Sequence, residues 1–223
     1  MCLRMLPGAG ALVLAAVSAF PAEADAQFGL AARASTLGIG AEVSYRAART
    51  LGLRAGGNWL RFTRDGTVDD VDYEITPKLK NATVLFDVFP FGRSFHLTSG
   101  LMLNGNEGRL DAVLTQPVQI GGSTYTPQQV GSLTGSVTFD DVAPYVGLGF
   151  AGSGRVSFLF DLGVAFSGRP VASLVGNTNL TGAEKAAFDA NVEEEEMELQ
   201  AEIDDRKYLK YHPVVSIGLR IRL

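Results

Sequence analysis

Glu42, Arg54, Asp87, Asp161, Arg220 and Arg222 are the residues of this chain whose types and spacing could do chemistry together. Each stands isolated among aliphatic, aromatic and glycine neighbours, in GAEVSYR, LGLRAGG, LFDVF, FLFDLGV and GLRIRL. Enclosed in one space, such charges form either a structural ion-pair network or a gated ion path. The structural reading is preferred, because opposite charges packed in a narrow interior satisfy one another. His96 and His212 raise a catalytic alternative, which needs a serine and an acid within reach. His212 and Ser216 share a face, but four residues along a strand span about 13 Å, and no G-x-S-x-G motif is present. The acidic run Glu193–Glu196 suggests calcium, yet the chain has no D-x-D-x-D-G loop and a helix splays four successive carboxylates around its axis. It reads as a solvated helix face. The expectation is no catalytic residue, no metal and no cofactor.

The elements that carry these residues alternate with period two. One face holds Leu37, Ile39, Ala41, Val43 and Tyr45; then Leu51, Leu53, Ala55, Gly57 and Trp59; then Ala82, Val84, Phe86 and Val88. It continues through Phe95, Leu97, Ser99, Leu101 and Leu103, through Val142, Pro144, Val146, Leu148 and Phe150, and through Val156 to Phe166 in steps of two. No charge falls on it. The other face holds Glu42, Arg54, Asn58, Asp87, His96, Asn104, Tyr145, Asp161, Arg220 and Arg222, together with Gly38, Gly40, Gly52, Gly56, Gly100, Gly147, Gly149, Gly163 and Gly218. Glycine on one face lets a sheet curl toward it and leaves room for large neighbours. A crowded polar interior inside an apolar exterior is an inside-out barrel; a soluble carrier barrel would reverse the faces. Leu60, Phe62, Leu85 and Phe89, on the inward phase, hint at an apolar pocket.

Residues 1–26 have one early charge (Arg4), an apolar stretch from about Leu6 to Phe20 and small residues at Ala24 and Ala26, the layout of a cleaved signal peptide. Cleavage after Ala26 leaves one domain, 27–223, without the chain's single cysteine, Cys2, and hence without disulfide or thiolate metal site. The net charge of −5 and the lack of a basic patch argue against nucleic acid. No later run is long enough for a transmembrane helix, so a membrane form would be a barrel. Connections alternate short (AARTL, PFGRS, AGSG) with long (DGTVDDVDYEITP, 107–138, 169–206), as tight periplasmic turns alternate with long external loops. Tyr45, Phe95 and Phe150 beside the short turns would form an interfacial girdle, and Trp59 the outer rim. Seven segments are clear, and Phe28–Ser35, in the opposite phase to Leu37–Ala41, supplies an eighth. VQIGGSTY reads as a hairpin turning at Gly121–Gly122. Thr181 and Glu184 make a capping-box pattern, opening a helix over 181–206 whose stripe of Phe188, Val192, Leu199 and Ile203 docks on the barrel rim. The expected fold is therefore all-β: an antiparallel up-and-down transmembrane barrel of eight strands, with a helix in the last long loop.

The chain ends in mid-strand, YHPVVSIGLRIRL, with Val215, Ile217, Leu219, Ile221 and Leu223 facing out. As last strand it must pair with the first. This segment resembles the terminal signal read by the bacterial barrel-assembly machinery, with Leu223 where an aromatic is usual. Through ASTLGIGAEVSYR, FPFGRSFHLTSGLMLNGNE, VAPYVGLGF, FDLGVAFSGRP and KYLKYHPVVSIGLRIRL the chain resembles small Gram-negative outer-membrane β-barrels of the OmpW or OmpX kind. The resemblance implies outer-membrane lipid, lipopolysaccharide and the assembly machinery as partners, and carries no functional residue. Asp65, Asp69, Asp70, Asp72 and Glu74 add to an acidic outer surface that could hold cations bridging lipopolysaccharide phosphates. The expected function is that of a non-enzymatic structural or surface-interaction barrel with a plugged interior; the alternative is a small-solute or apolar-compound channel.

Overall fold

The computed structural model describes residues 27–68 and 71–223. The expected signal peptide, residues 1–26 with Cys2, and loop residues Asp69 and Asp70 lie outside the described residues. In chain order the elements are β1 Gln27–Ser35, β2 Gly38–Arg46, β3 Leu51–Arg61, β4 Arg64–Val68, β5 Val71–Val88, β6 Phe95–Asn104, β7 Glu107–Val113 and β8 Val118–Ile120. They continue with β9 Ser123–Tyr125, β10 Val130–Thr138, β11 Val142–Ala151, β12 Val156–Phe166, β13 Val171–Thr178, a helix α1 Gly182–Asp205 and β14 Tyr211–Arg222.

Eight of the strands close a cylinder in the order β1-β2-β3-β5-β6-β11-β12-β14, every pair antiparallel. The seam joins last to first, from Gly29 opposite Arg222 to Ser35 opposite Ser216. Period-two burial follows the sequence: Ile39, Leu53, Val84, Leu101, Val146, Phe160 and Ile217 are exposed outside, while Glu42, Arg54, Asp87, His96 and Asp161 are buried inside. Val215, Leu219, Ile221 and Leu223 are exposed with Ile217 on β14 and its end. Outside at the short-turn end, Phe28 and Tyr45 lie 4.8 Å apart and Phe95 and Phe150 5.3 Å apart by ring centroid. Trp59 is exposed nearer the opposite rim.

Leu37 departs from the expected outward face. It occupies a two-residue turn between Ser35 and Gly38, and Gly38 takes a φ of +114°, a bulge that reverses the phase. Leu37 therefore turns inward and is buried at 4% exposure, closing the lumen at the long-loop end.

The long connections are largely structured. On β5, Asn81 pairs with Asn104 of β6, and three residues on Lys78 pairs with Glu107 of β7, so β7 continues β6 in register. On the same terms β10 continues into β11, and β13 pairs with β10 above the barrel. The wall formed by β5, β7, β10 and β13 thus rises well above the hairpin of β1 and β2. Segments such as GRLDAV and GSLTGSV have too many small polar residues to show apolar alternation, and they extend the sheet through backbone pairing instead. The hairpin at Gly121 forms as read, with Gly121 at φ +54°.

Helix α1 buries Phe188 and Val192 against Ala112, Leu114, Ile120, Tyr125 and Val130, a second small core above the barrel. It packs along the raised wall, not on the rim. The expected capping box does not form: Thr181 is the N-cap but makes no side-chain cap bond. The acidic run is only partly solvated. Glu196 Oε2 accepts from the Leu174 N–H at 2.7 Å, Gln200 Oε1 from the Ala172 N–H at 2.9 Å, and Glu195 Oε2 from the Gly121 N–H at 3.0 Å. β13 has no strand neighbour on that side within the described residues, so Glu196 and Gln200 satisfy edge amides that would otherwise be bare.

Candidate functional site

The polar residues of the barrel interior converge on one buried cluster. Arg54, on β3, reaches Asp87 of neighbouring β5 at 2.7 Å and Asp161 of β12 at 3.1 Å. In the closed order β12 lies diametrically opposite β3, so the guanidinium crosses the lumen. Arg54 also meets Glu42 Oε2 at 3.4 Å and donates to Thr98 Oγ1 at 3.1 Å. Thr98 donates to Asp87 Oδ1 at 2.7 Å. Arg33, on β1, bridges Glu42 and Asp161 and donates to Ser216 Oγ at 3.0 Å. His96 Nε2 lies 2.9 Å from Asp161 Oδ1, and its Nδ1 lies 3.4 Å from the Ser94 carbonyl, so both ring nitrogens are engaged. Three carboxylates face two guanidiniums and an imidazole, drawn from β1, β2, β3, β5, β6 and β12, and β14 adds the Ser216 hydroxyl. The remaining barrel strand, β11, clears the space: a Cβ at Gly149 would stand 2.5 Å from Asp161 Oδ1 and 2.7 Å from His96 Nε2.

Of the six charges expected to join, Glu42, Arg54, Asp87 and Asp161 do. Arg220 and Arg222 do not: they donate to turn carbonyls, Arg220 to Gly152 at 2.7 Å and Arg222 to Ser153 at 2.5 Å. The register explains this. Asp161 pairs with Ser216 and Arg220 with Ser157, four residues or about 13 Å nearer the short turns. Arg33 and His96 complete the cluster. Arg33 alternates with Leu30, Ala32 and Ala34, so its parity was a usable signal. His212 lies away from His96, with Nε2 buried and without a hydrogen-bond partner among the described residues.

Above the cluster, toward the long loops, Leu37, Leu85, Met102, Ala143, Tyr145, Ala165 and Val214 form an apolar layer. Above that lie amides: Asn58 Nδ2 donates to Asn81 Oδ1 at 2.8 Å, and Asn81 Nδ2 to the Leu37 carbonyl at 3.0 Å and Asn106 Oδ1 at 3.1 Å. Below it, Phe89 stacks 5.3 Å from His96, with the Arg46 guanidinium 3.8 Å over the Phe89 ring. Leu60, Phe62, Leu85 and Phe89 therefore share no pocket; Leu85 and Phe89 are buried on opposite sides of the charges and Phe62 is exposed. The voids beside the cluster measure about 40 and 30 Å³, room for a few waters each.

A closed eight-stranded antiparallel barrel is shared with two solved structures from Acinetobacter baumannii. CarO2 is 23% identical with a TM-score of 0.58, covering 88% of this chain and 98% of that one. CarO is 21% identical with a TM-score of 0.55, covering 86% and 96%. The likeness is one of fold, and it does not single out the OmpW or OmpX kind. No family model and no curated protein matches the chain.

Proposed function

We propose that this protein is an integral barrel of the bacterial outer membrane with a plugged lumen, acting as a structural and surface-interaction element through its raised wall and helix rather than as an enzyme. Its apolar exterior and polar interior suit a cylinder set in lipid, where closed sheets leave no backbone group unpaired. The closed antiparallel barrel fold shared with CarO supports that setting. The single observation behind the closed lumen is the span from Arg54 to Asp161 directly beneath the layer of Met102 and Tyr145. An ion would have to break buried pairs and then cross an apolar layer, both costly. In this reading the raised wall and α1 meet lipopolysaccharide and other surface ligands, and β14 carries the assembly signal. Purified protein in a planar lipid bilayer is expected to give no stable unitary conductance; reproducible openings would sink the plugged reading and favour a small-solute conduit.

A further inference from the structure

The short-turn end of the barrel carries Arg46, Arg49, Arg93, Arg155, Arg220 and Arg222, and no carboxylate side chain among the described residues. A cleft of about 500 Å³ opens there, lined by Arg46, Arg49, Arg93, Arg222, Ser94 and Ser153 among others. Two of its guanidiniums are held in place. Arg46 donates to the carbonyls of Arg49 at 2.6 Å and Arg93 at 3.2 Å, and Arg222 donates to that of Ser153. These bonds go to neutral carbonyls and cancel no charge. The side chains of Arg49 and Arg93 form no ion pair or hydrogen bond among the described residues and line the same cleft. Glu42 and Asp87, the acidic side chains of the adjoining lumen, are committed to Arg33 and Arg54.

We propose that this cleft is a phosphate-binding site, filled either by the headgroup phosphate of a phospholipid or by a free phosphate. Guanidinium forks match a phosphate's oxygens in pairs, and serine hydroxyls add neutral donors. The aromatic band formed by Phe28, Tyr45, Phe95 and Phe150 surrounds the same end, at the level where headgroups meet hydrocarbon. The lipid source rests on the membrane setting proposed above; the phosphate chemistry does not.

The test uses the folded full-length protein in non-ionic detergent. Retention of phosphatidylglycerol is compared with retention of diacylglycerol, which lacks the phosphate, by native mass spectrometry. Inorganic phosphate is titrated separately by calorimetry. Phosphatidylglycerol is expected to be retained and diacylglycerol lost, with Arg49→Gln plus Arg93→Gln weakening retention about tenfold or more. Saturable binding of inorganic phosphate without lipid retention would keep the site and assign it to a free phosphate. Equal retention of both lipids together with no phosphate heat overturns the proposal, as does unchanged binding in the double variant. If the double variant misfolds, each single variant is read by the same criteria. None of these readouts depends on whether the lumen conducts.

Discussion

Arg54 and Asp161, 107 residues apart in the chain, meet at 3.1 Å from opposite walls of the barrel. Arg54 meets Glu42 and Asp87 from the strands on either side of β3, and the closed cylinder adds Asp161 from across the lumen. Removing one partner leaves the others buried. Arg54→Met strands Asp87 without a guanidinium and leaves Glu42 and Asp161 to Arg33 alone, and it is expected to cost about 3–5 kcal/mol, read from urea unfolding of the folded barrel in micelles. A loss under about 1 kcal/mol would mean that water already screens the cluster.

Leu37 caps the lumen from the other end. Leu37→Ala opens a cavity against Leu85, Met102 and Val214 and is expected to cost about 2–5 kcal/mol in the same unfolding assay. It should leave the bilayer silent, because the Arg54–Asp161 span lies below. Conductance appearing in Leu37→Ala alone would place the barrier at the turn instead of at the charges.

Glycine makes room for the cluster at one position in particular. Gly149→Ala drives a methyl into Asp161 and His96, and a destabilisation of about 1–3 kcal/mol is expected. Gly108→Ala, with nothing within 4 Å of its added carbon, is the control and should stay within about 0.5 kcal/mol. Equal effects would show that strand propensity, not crowding, governs both sites.

Near the end of α1, Arg169 Nε donates to Asp204 Oδ1 at 2.7 Å. This bond holds the Asp204 carboxyl below the ordinary carboxylate range. A depressed folded value means that the clasp is intact above the unfolded value of about 4 and is lost as pH falls through the lower folded one. Carbon-13 titration of the Asp204 carboxyl should therefore show a midpoint below the ordinary range, returning toward it in Arg169→Gln. An unmoved midpoint would show the pair to be too solvated to matter.

The barrel was legible because a sheet with unlike faces writes its period into the chain. Ile39, Val84 and Leu101 lie outside and Glu42, Asp87 and Asp161 inside, as alternation requires. The seam of β1 and β14 followed from strand parity. Alternation gives the face of a side chain and only crudely its depth, which is why Arg220 and Arg222 were grouped with charges that lie well above them. It also assumes constant phase, which the positive φ at Gly38 breaks at Leu37. The raised wall was hidden because β7, β10 and β13 are held by long-range backbone pairing between residues with little apolar contrast. Arg33 sat in a short strand whose neighbours, Ala32 and Ala34, mark the face only weakly.

The exposed flank of β13 has one more implication, for solubility in the company of other copies. Unpaired amides on a sheet's margin invite a second chain to add itself. Here Glu196 and Gln200 occupy the Leu174 and Ala172 amides from within. Glu196→Ala with Gln200→Ala should therefore raise the sedimentation coefficient of the purified protein through self-association, while an unchanged monomer would show that α1 shields the flank by bulk alone. Through those two acceptors α1 serves as an internal chaperone, keeping one open margin of the sheet from being offered to its neighbours.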